Sequence, residues 1–339
     1  MTLPLRHHVG RVSTIGGAAL AVLAVLAAAG CDNIGADRSI GVQATGIVRG
    51  FVYFDANGSR SFDAADVPFL GARIRILSPV SRDTIYRATT LPNGTFRLTD
   101  VPVGTYAVVL DSASAGDTAR VVSVDFTTFA VVPGDSVVVT GAISYPEYFA
   151  RDVRTLPLGT RVFVSGVALH ARGTFSDTIL HAADSTGAIR AGRLRATDAA
   201  AGDSIRLRGT VATRLGQRSV EDAAVFIVGS AFIPTARTIT TASAATAAAG
   251  TLDAALVRVA NATVSDTSTV AGNLTMTVSD GSGALTVVLD RASDASFRSP
   301  FPPGLYVAPN RFDIVGVLVP TGTGGWRLRP RSFLDLTRR

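Results

Sequence analysis

Six oxygen-bearing side chains fall at positions 1, 3, 5, 7, 9 and 12 of one stretch: Asp55, Asn57, Ser59, Ser61, Asp63 and Asp66. A loop of that spacing can wrap its oxygens around a hard divalent cation, and calcium is the cation it suits. Extracellular calcium loops bind at about 10⁻⁴–10⁻³ M. Three positions depart from the strongest pattern. The fifth is Ser59 rather than a carboxylate, the sixth is Arg60 where the turn takes glycine, and the twelfth is Asp66, shorter than a bidentate glutamate. The competing reading is an Asx-rich turn closed on itself. Calcium is the one cofactor these residues raise, and no other is expected.

Catalysis needs a nucleophile, a base or a metal held together. Apart from His7 and His8, the histidines are His170 and His181. They read as two half-exposed residues on neighbouring strands, with no second cysteine or further histidine to complete a zinc set. Gly134-Asp135-Ser136 and Gly202-Asp203-Ser204 match the start of an esterase block in letters only. Both precede strands and lack the strand-to-helix elbow that exposes a nucleophilic serine. There is no phosphate loop, no dinucleotide fingerprint and no marked pair of opposed carboxylates. The expectation is a protein that is not an enzyme.

The cationic residues offer a second kind of chemistry. All 32 basic residues are arginine, and the formal net charge is +6. Arg206 and Arg208 share one face of a strand, as do Arg327 and Arg329 beside Trp326. Basic grooves with a stacking aromatic bind single-stranded nucleic acid. Aspartates are interspersed, however, aromatics are 7% of the chain, and alternating arginine usually marks the solvated face of a strand. Arginine-, alanine- and aspartate-rich usage also fits a GC-rich coding habit, so the charge alone does not indicate an acidic partner.

The elements that carry these residues begin after a leader. Arg6 and Arg11 precede an uncharged run from Ile15 to Ala29, then Gly30 and Cys31, the sole cysteine. A basic start, a short apolar stretch and small residues describe a secretory signal, and the run is shorter than the roughly 20 residues of a membrane span. Ala28-Ala29-Gly30-Cys31 resembles a bacterial lipobox, with Ala28 where that family carries leucine. The resemblance implies lipidation of Cys31, a signal peptide over 1–30 and a tether over 31–43. It implies a cell-envelope location, at the outer membrane or cell surface rather than the inner membrane. A diacylglycerol group plus an N-acyl chain would anchor the protein lastingly, where one chain would not.

Beyond the tether the chain is short of the residues that build surface helices, with Glu147 and Glu221 the only glutamates and no lysine. Val, Thr and Ile are plentiful, as strands prefer. Alternation predicts strands over 46–54, 72–77, 84–90, 96–98, 107–110, 119–126 and 136–143. Pro92-Asn93-Gly94-Thr95 predicts a hairpin. Gly50-Phe51-Val52-Tyr53-Phe54-Asp55, Asn93-Gly94-Thr95-Phe96 and Val101-Pro102-Val103-Gly104-Thr105-Tyr106 resemble the prealbumin-like and carboxypeptidase-regulatory-like sandwich modules, and the B-type repeats of Gram-positive adhesins. The resemblance implies an Ig-like β-sandwich over 44–143, with calcium on the loop after its first strand, in a stalk, spacer or glycan- or protein-binding role.

Residues 144–237 give five further strands with a longer connection between the third and fourth. Val164-Ser165-Gly166-Val167, Asp184-Ser185-Thr186-Gly187 and Gly202-Asp203-Ser204-Ile205-Arg206-Leu207-Arg208-Gly209 resemble the OB-fold, a five-stranded barrel. Residues 238–339 repeat the pattern. Asp280-Gly281-Ser282-Gly283 stands for the Asp184 turn, and Asn310-Arg311-Phe312-Asp313-Ile314-Val315-Gly316 for the strand after Asp203. A longer connection, Asp290–Tyr306, carries Phe297, Phe301, Pro302 and Pro303, and the alanine-rich 241–250 is expected to be a short helix or strap. The fold class is therefore all-β: a prealbumin-like sandwich followed by two tandem OB-like barrels. The functional expectation is a non-catalytic envelope lipoprotein, a binding or spacer module for a glycan or another envelope component. The alternative is an OB-type nucleic-acid binder serving a secreted nuclease, and a hydrolase ranks last.

Overall fold

A computed structural model describes residues 43–124, 127–291 and 304–339. Cys31 and its leader lie outside the described residues, as do Phe126, Phe297, Phe301, Pro302 and Pro303.

The chain is all-β, a sandwich followed by two barrels. In the sandwich, strand β1 (Thr45–Phe54) shows why alternation matters: Gly46, Val48, Gly50 and Val52 are buried and the residues between them are more exposed, except Tyr53. The following strands are β2 (Val67–Pro68), β3 (Arg73–Leu77), β4 (Thr84–Thr89), β5 (Thr95–Pro102), β6 (Gly104–Leu110), β7 (Arg120–Val124), β8 (Thr128–Val131) and β9 (Ser136–Ser144). One sheet carries β9 parallel to β1 on one side, with β5 and β2 antiparallel on the other and β7 beyond β9. The second sheet runs β4-β3-β6-β8. Val48, Val52, Ile74, Ile76, Phe96, Val108, Phe129 and Ile143 fill the space between them.

The turn at Asn93-Gly94 forms, with Leu91 N–H donating to Thr95 O at 2.8 Å. It is not the hairpin its sequence predicts. β4 belongs to one sheet and β5 to the other, so the turn is an arch across the core. Turn chemistry sets the local chain reversal, but the pairing partner is chosen by which faces must be buried.

The first barrel contains a one-turn helix α1 (Ala150–Val153) and strands β10 (Arg161–Ala168), β11 (Ile179–Asp184), β12 (Gly187–Gly192), β13 (Asp203–Arg214) and β14 (Gln217–Ser230). They close in the order β10-β11-β12-β14-β13, with β12 and β14 parallel. The second unit contains β15 (Arg237–Thr238), helix α2 (Thr241–Ala245), β16 (Leu256–Val270), β17 (Asn273–Ser279), β18 (Leu285–Leu289), β19 (Arg311–Pro320), β20 (Trp326–Arg329) and β21 (Leu336–Arg338). It closes as β16-β17-β18-β20-β19, again with the third and last of these in chain order parallel. The repeated topology matches the duplication seen in the sequence, and α2 is the short helix expected within 241–250.

The repeated turn also has a repeated job. Asp184 accepts the Ala150 N–H at 2.7 Å and so caps α1. Asp280 accepts the Thr241 N–H at 3.1 Å and the Thr241 hydroxyl at 2.7 Å at the start of α2. A carboxylate satisfies orphan N–H groups at a helix start and suits its partial positive charge. Partial burial pushes the Asp280 pKa up, but hydrogen bonds from Ser282 and Thr241 outweigh it and hold the group down to about 2. The fold therefore favours the carboxylate. That stability is complete above the ordinary value of 3.8 and is lost as pH falls towards about 2. Asp280→Asn is expected to lower the melting temperature at neutral pH, with the gap to the parent closing between those two values. Equal gaps at pH 7 and pH 2, measured by calorimetry, would contradict this.

The barrels are joined by an apolar seam. Leu169, Phe175, Ala183 and Ala188 of the first pack against Ala254, Leu256, Val317 and Val319 of the second, all buried. Arg154 bridges the same seam. Its guanidinium donates to Ala188 O at 2.9 Å, Thr251 O at 2.8 Å, Asp253 O at 2.8 Å and Gly250 O at 3.3 Å.

Candidate functional site

The acidic loop leaves β1 directly and is held by it. Asp55 is fully buried: its N–H donates to Ile143 O at 2.9 Å and its carbonyl accepts the Ser144 hydroxyl at 2.6 Å. Its carboxylate accepts the N–H groups of Ser59 at 3.1 Å and Arg60 at 3.0 Å. Asp66 accepts the N–H of Ala56 at 2.8 Å and of Asp63 at 3.1 Å. Asp63 accepts from the Asn57 amide at 2.8 Å, the Ser59 hydroxyl at 3.1 Å and Ala65 N–H at 2.8 Å. Ser61 O lies 2.8 Å from the same Ser59 hydroxyl and shares its one proton with Asp63.

The calcium-spaced oxygens are therefore brought into one loop, and the three carboxylates are turned onto the loop's own donors. Burial, helped by the charges of Asp63 and Asp55, pushes Asp66 up, while the Asn57 hydrogen bond leads those that hold Asp63 down. Among the described residues no three His, Cys, Asp or Glu side chains stand together as a metal set.

The loop is also a contact surface. Arg206 donates to Gly58 O, and Arg208 donates to Ala56 O at 2.5 Å. Arg208 lies over the Phe226 ring at 5.4 Å. These two arginines of β13 are thus docked on the sandwich, not displayed on a solvated strand face. The sequence could not show this, because their acceptors lie roughly 150 residues away.

Trp326, Arg327 and Arg329 lie elsewhere, at the seam between barrels. Trp326 Nε1 donates to Asp253 Oδ1 at 2.9 Å, which also accepts from the Gln217 amide at 2.7 Å. Arg329 pairs with Asp290 and stacks over Phe175 at 4.3 Å. The arginines picked out in the sequence are split between two junctions and do not line one groove.

His170 and His181 are buried, not half-exposed. His170 lies just past β10 and reaches across to β11, where its Nε2 stands 2.9 Å from His181 Nδ1. Burial leads both pKa values down, His170 to about 4.

Sequence reasoning missed a recess on the first barrel. It occupies about 540 Å³ and is lined by Glu147, Tyr148, Phe149, Ser165, Val167 and Ser204, among others. Pro146 O accepts Phe163 N–H at 2.9 Å and Phe163 O accepts Tyr148 N–H at 2.9 Å, so the segment before α1 is laid against β10. The Ser165 hydroxyl donates to Glu147 at 2.5 Å. Phe149 precedes α1, lines the recess and is 56% exposed. The signal for it was Glu147-Tyr148-Phe149, one of only two glutamates in the chain beside two aromatics.

No family model matches the chain, and no curated protein does. Among solved structures, the minor pilin GBS52 of Streptococcus agalactiae is 12% identical over 30% of this chain and 45% of its own, with a TM-score of 0.24. The major pilin SpaD of Corynebacterium diphtheriae is 11% identical over 50% of this chain and 38% of its own, with a TM-score of 0.23. A murine DNA binding protein bound with double-stranded DNA is 12% identical over 49% of this chain and 90% of its own, with a TM-score of 0.29. The chain thus spans less than half the length of either pilin. Likeness at this level carries no argument about this chain, whose strand pairing itself gives an all-β sandwich with two barrels.

Proposed function

We propose that the chain is a non-catalytic, lipid-anchored binding module of the cell envelope, and that the first barrel takes glycan on the Phe149 recess. The observation carrying this is the recess itself. It sets an exposed ring beside a carboxylate and two hydroxyls, Glu147, Ser165 and Ser204, on a largely apolar wall. Sugars present an apolar ring face and a rim of hydroxyl groups, and sites for such ligands combine an apolar surface with a few placed polar groups. The non-catalytic part is supported by the histidines, which are buried and bonded to one another. The acidic loop is given a structural role, as the sandwich's contact with the first barrel. Arg206 and Arg208 are spent on that contact, so nucleic acid is not proposed.

The test is a glycan array probed with the protein lacking residues 1–31. Binding to a defined glycan class is expected, and Phe149→Ala should weaken it roughly tenfold with the melting temperature unchanged, because the ring is exposed. An array with no bound glycan, or Phe149→Ala binding like the parent, removes the proposal. Mass spectrometry of native material is expected to find a diacylglycerol on Cys31.

A further inference from the structure

The seam between the barrels contains a second cavity, of about 320 Å³, lined by His181, Arg190, Arg214, Gln217, Arg327 and Arg329 among others. Four arginines converge there. Arg190 is paired with Glu221 and Arg329 with Asp290. Arg214 and Arg327 have no ion pair among the described residues, so the cavity carries a surplus of positive charge.

Native interiors leave few buried polar atoms unbonded, and those that remain ask for an absent water, ion or ligand. Among the described residues, the buried side-chain atoms without a partner include His181 Nε2, Arg327 Nε and Arg329 Nε. All three belong to residues lining this one cavity.

The hydrogen-bond chain fixes what His181 offers. His170 Nδ1 stands 2.8 Å from Ala171 O, an acceptor, so this nitrogen carries the proton. In a neutral ring His170 Nε2 is then an acceptor, and it receives the His181 backbone N–H at 3.2 Å and His181 Nδ1–H at 2.9 Å. His181 Nε2 is left with a lone pair. The ring's other nitrogen faces His170, and the His181 carbonyl accepts Leu169 N–H at 2.9 Å, so Nε2 is the polar atom left for the cavity. The residue is 1% exposed. Its desolvation, the neighbouring His170, and the positive charges of Arg190 and Arg329 all keep it neutral.

A fitting ligand must bring negative oxygen to the arginines and a hydrogen-bond donor to the imidazole. We propose that this cavity binds a hydroxylated oxyanion of monosaccharide size, a uronate or a sugar phosphate, held by Arg214, Arg327 and Arg329, with His181 Nε2 accepting a ligand hydroxyl. The volume lies at the lower end of small-molecule sites, which suits one sugar unit. Guanidinium forks bind carboxylate and phosphate oxygens alike, so the two sources share one chemistry. The site is separate from the Phe149 recess and stands without it.

Titration of the protein with glucuronate, glucose 6-phosphate, inorganic phosphate and glucose tests this, by calorimetry and by the fluorescence of Trp326 next to Arg327. Saturable binding of glucuronate identifies a carboxylate ligand, and binding of glucose 6-phosphate a phosphate ligand. Either supports the site, provided glucose does not bind and added salt weakens the interaction. Arg327→Gln and the exposed Arg214→Gln should each weaken binding about tenfold, the loss of one charge-assisted hydrogen bond, with melting temperatures near the parent's. Phe149→Ala should leave it unchanged, which separates failure here from failure of the glycan recess. No binding of either sugar anion at millimolar concentration, glucose binding as well as they do, phosphate binding alone, or both arginine variants binding like the parent would each overturn the proposal.

Discussion

Arg154→Ala is expected to uncouple the two barrels. One guanidinium satisfies four carbonyl oxygens, of Ala188 in the first barrel and of Gly250, Thr251 and Asp253 on the approach to the second. Alanine leaves those acceptors without their donor beside the apolar part of the seam. Hydrogen bonds to a charged donor contribute about 1.5–3 kcal/mol each, and unsatisfied acceptors cost a comparable amount. Some of the four will find water once the side chain is gone, so the net loss is set at roughly 3 kcal/mol.

Trp326 is the sole tryptophan, and its Nε1 is bonded to Asp253 in this seam. Its fluorescence reports the interface directly. In the parent its transition should coincide with loss of β-structure by circular dichroism. In Arg154→Ala it should come first, at lower urea. Arg154→Lys keeps the charge but not the fork, and should fall between them. Coincident transitions in Arg154→Ala, at the parent's midpoint, would show that the seam holds the barrels together without Arg154.

A second large effect is expected inside the sandwich. Gly50 lies mid-way along β1, facing inward, opposite Phe96 of β5 and Val139 of β9. A methyl group here would overlap the Val139 carbonyl oxygen and the Phe96 ring. The ring could turn, but the carbonyl belongs to the sheet and cannot move without breaking the ladder. Overpacking of a close-packed core costs about 1–3 kcal/mol when side chains can yield. Gly50→Ala should exceed that range and open the sandwich while the barrels persist. Limited proteolysis of the whole chain would then cut between residues 44 and 143 first. A Gly50→Ala protein as protease-resistant as the parent would show that the sheet absorbs a methyl group at this point.

Much of this architecture could be read from the amino acids because strand alternation is local. The period of two in 45–54, 73–77 and 203–214 is imposed by burial of one face, and it survives in the structure. The duplication was equally readable, since the aspartate turns that cap α1 and α2 recur at matching places. What could not be read depends on partners remote in the chain. Asn93-Gly94 specifies a reversal but not which sheet receives the next strand. Arg206 and Arg208 look like a solvated face until the sandwich loop is laid against them. His170 and His181 look half-exposed until Phe175 from the connection between their own strands and Arg329 from the second barrel are laid against them. The acidic spacing is real, yet spacing says nothing of whether the oxygens face a cation or their own backbone.

The parallel pairing of β1 and β9 has a mechanical meaning. These are the first and last strands of the sandwich, and eight consecutive residue pairs join them. Because they run in the same direction, tension between residue 45 and residue 144 pulls the two strands past one another lengthwise. The ladder's evenly spaced bonds then share the load together instead of parting one by one from an end. A domain strung between an attachment point and a cargo would resist pulling best in this arrangement, and the rupture force of the sandwich should be set by this one strand pair.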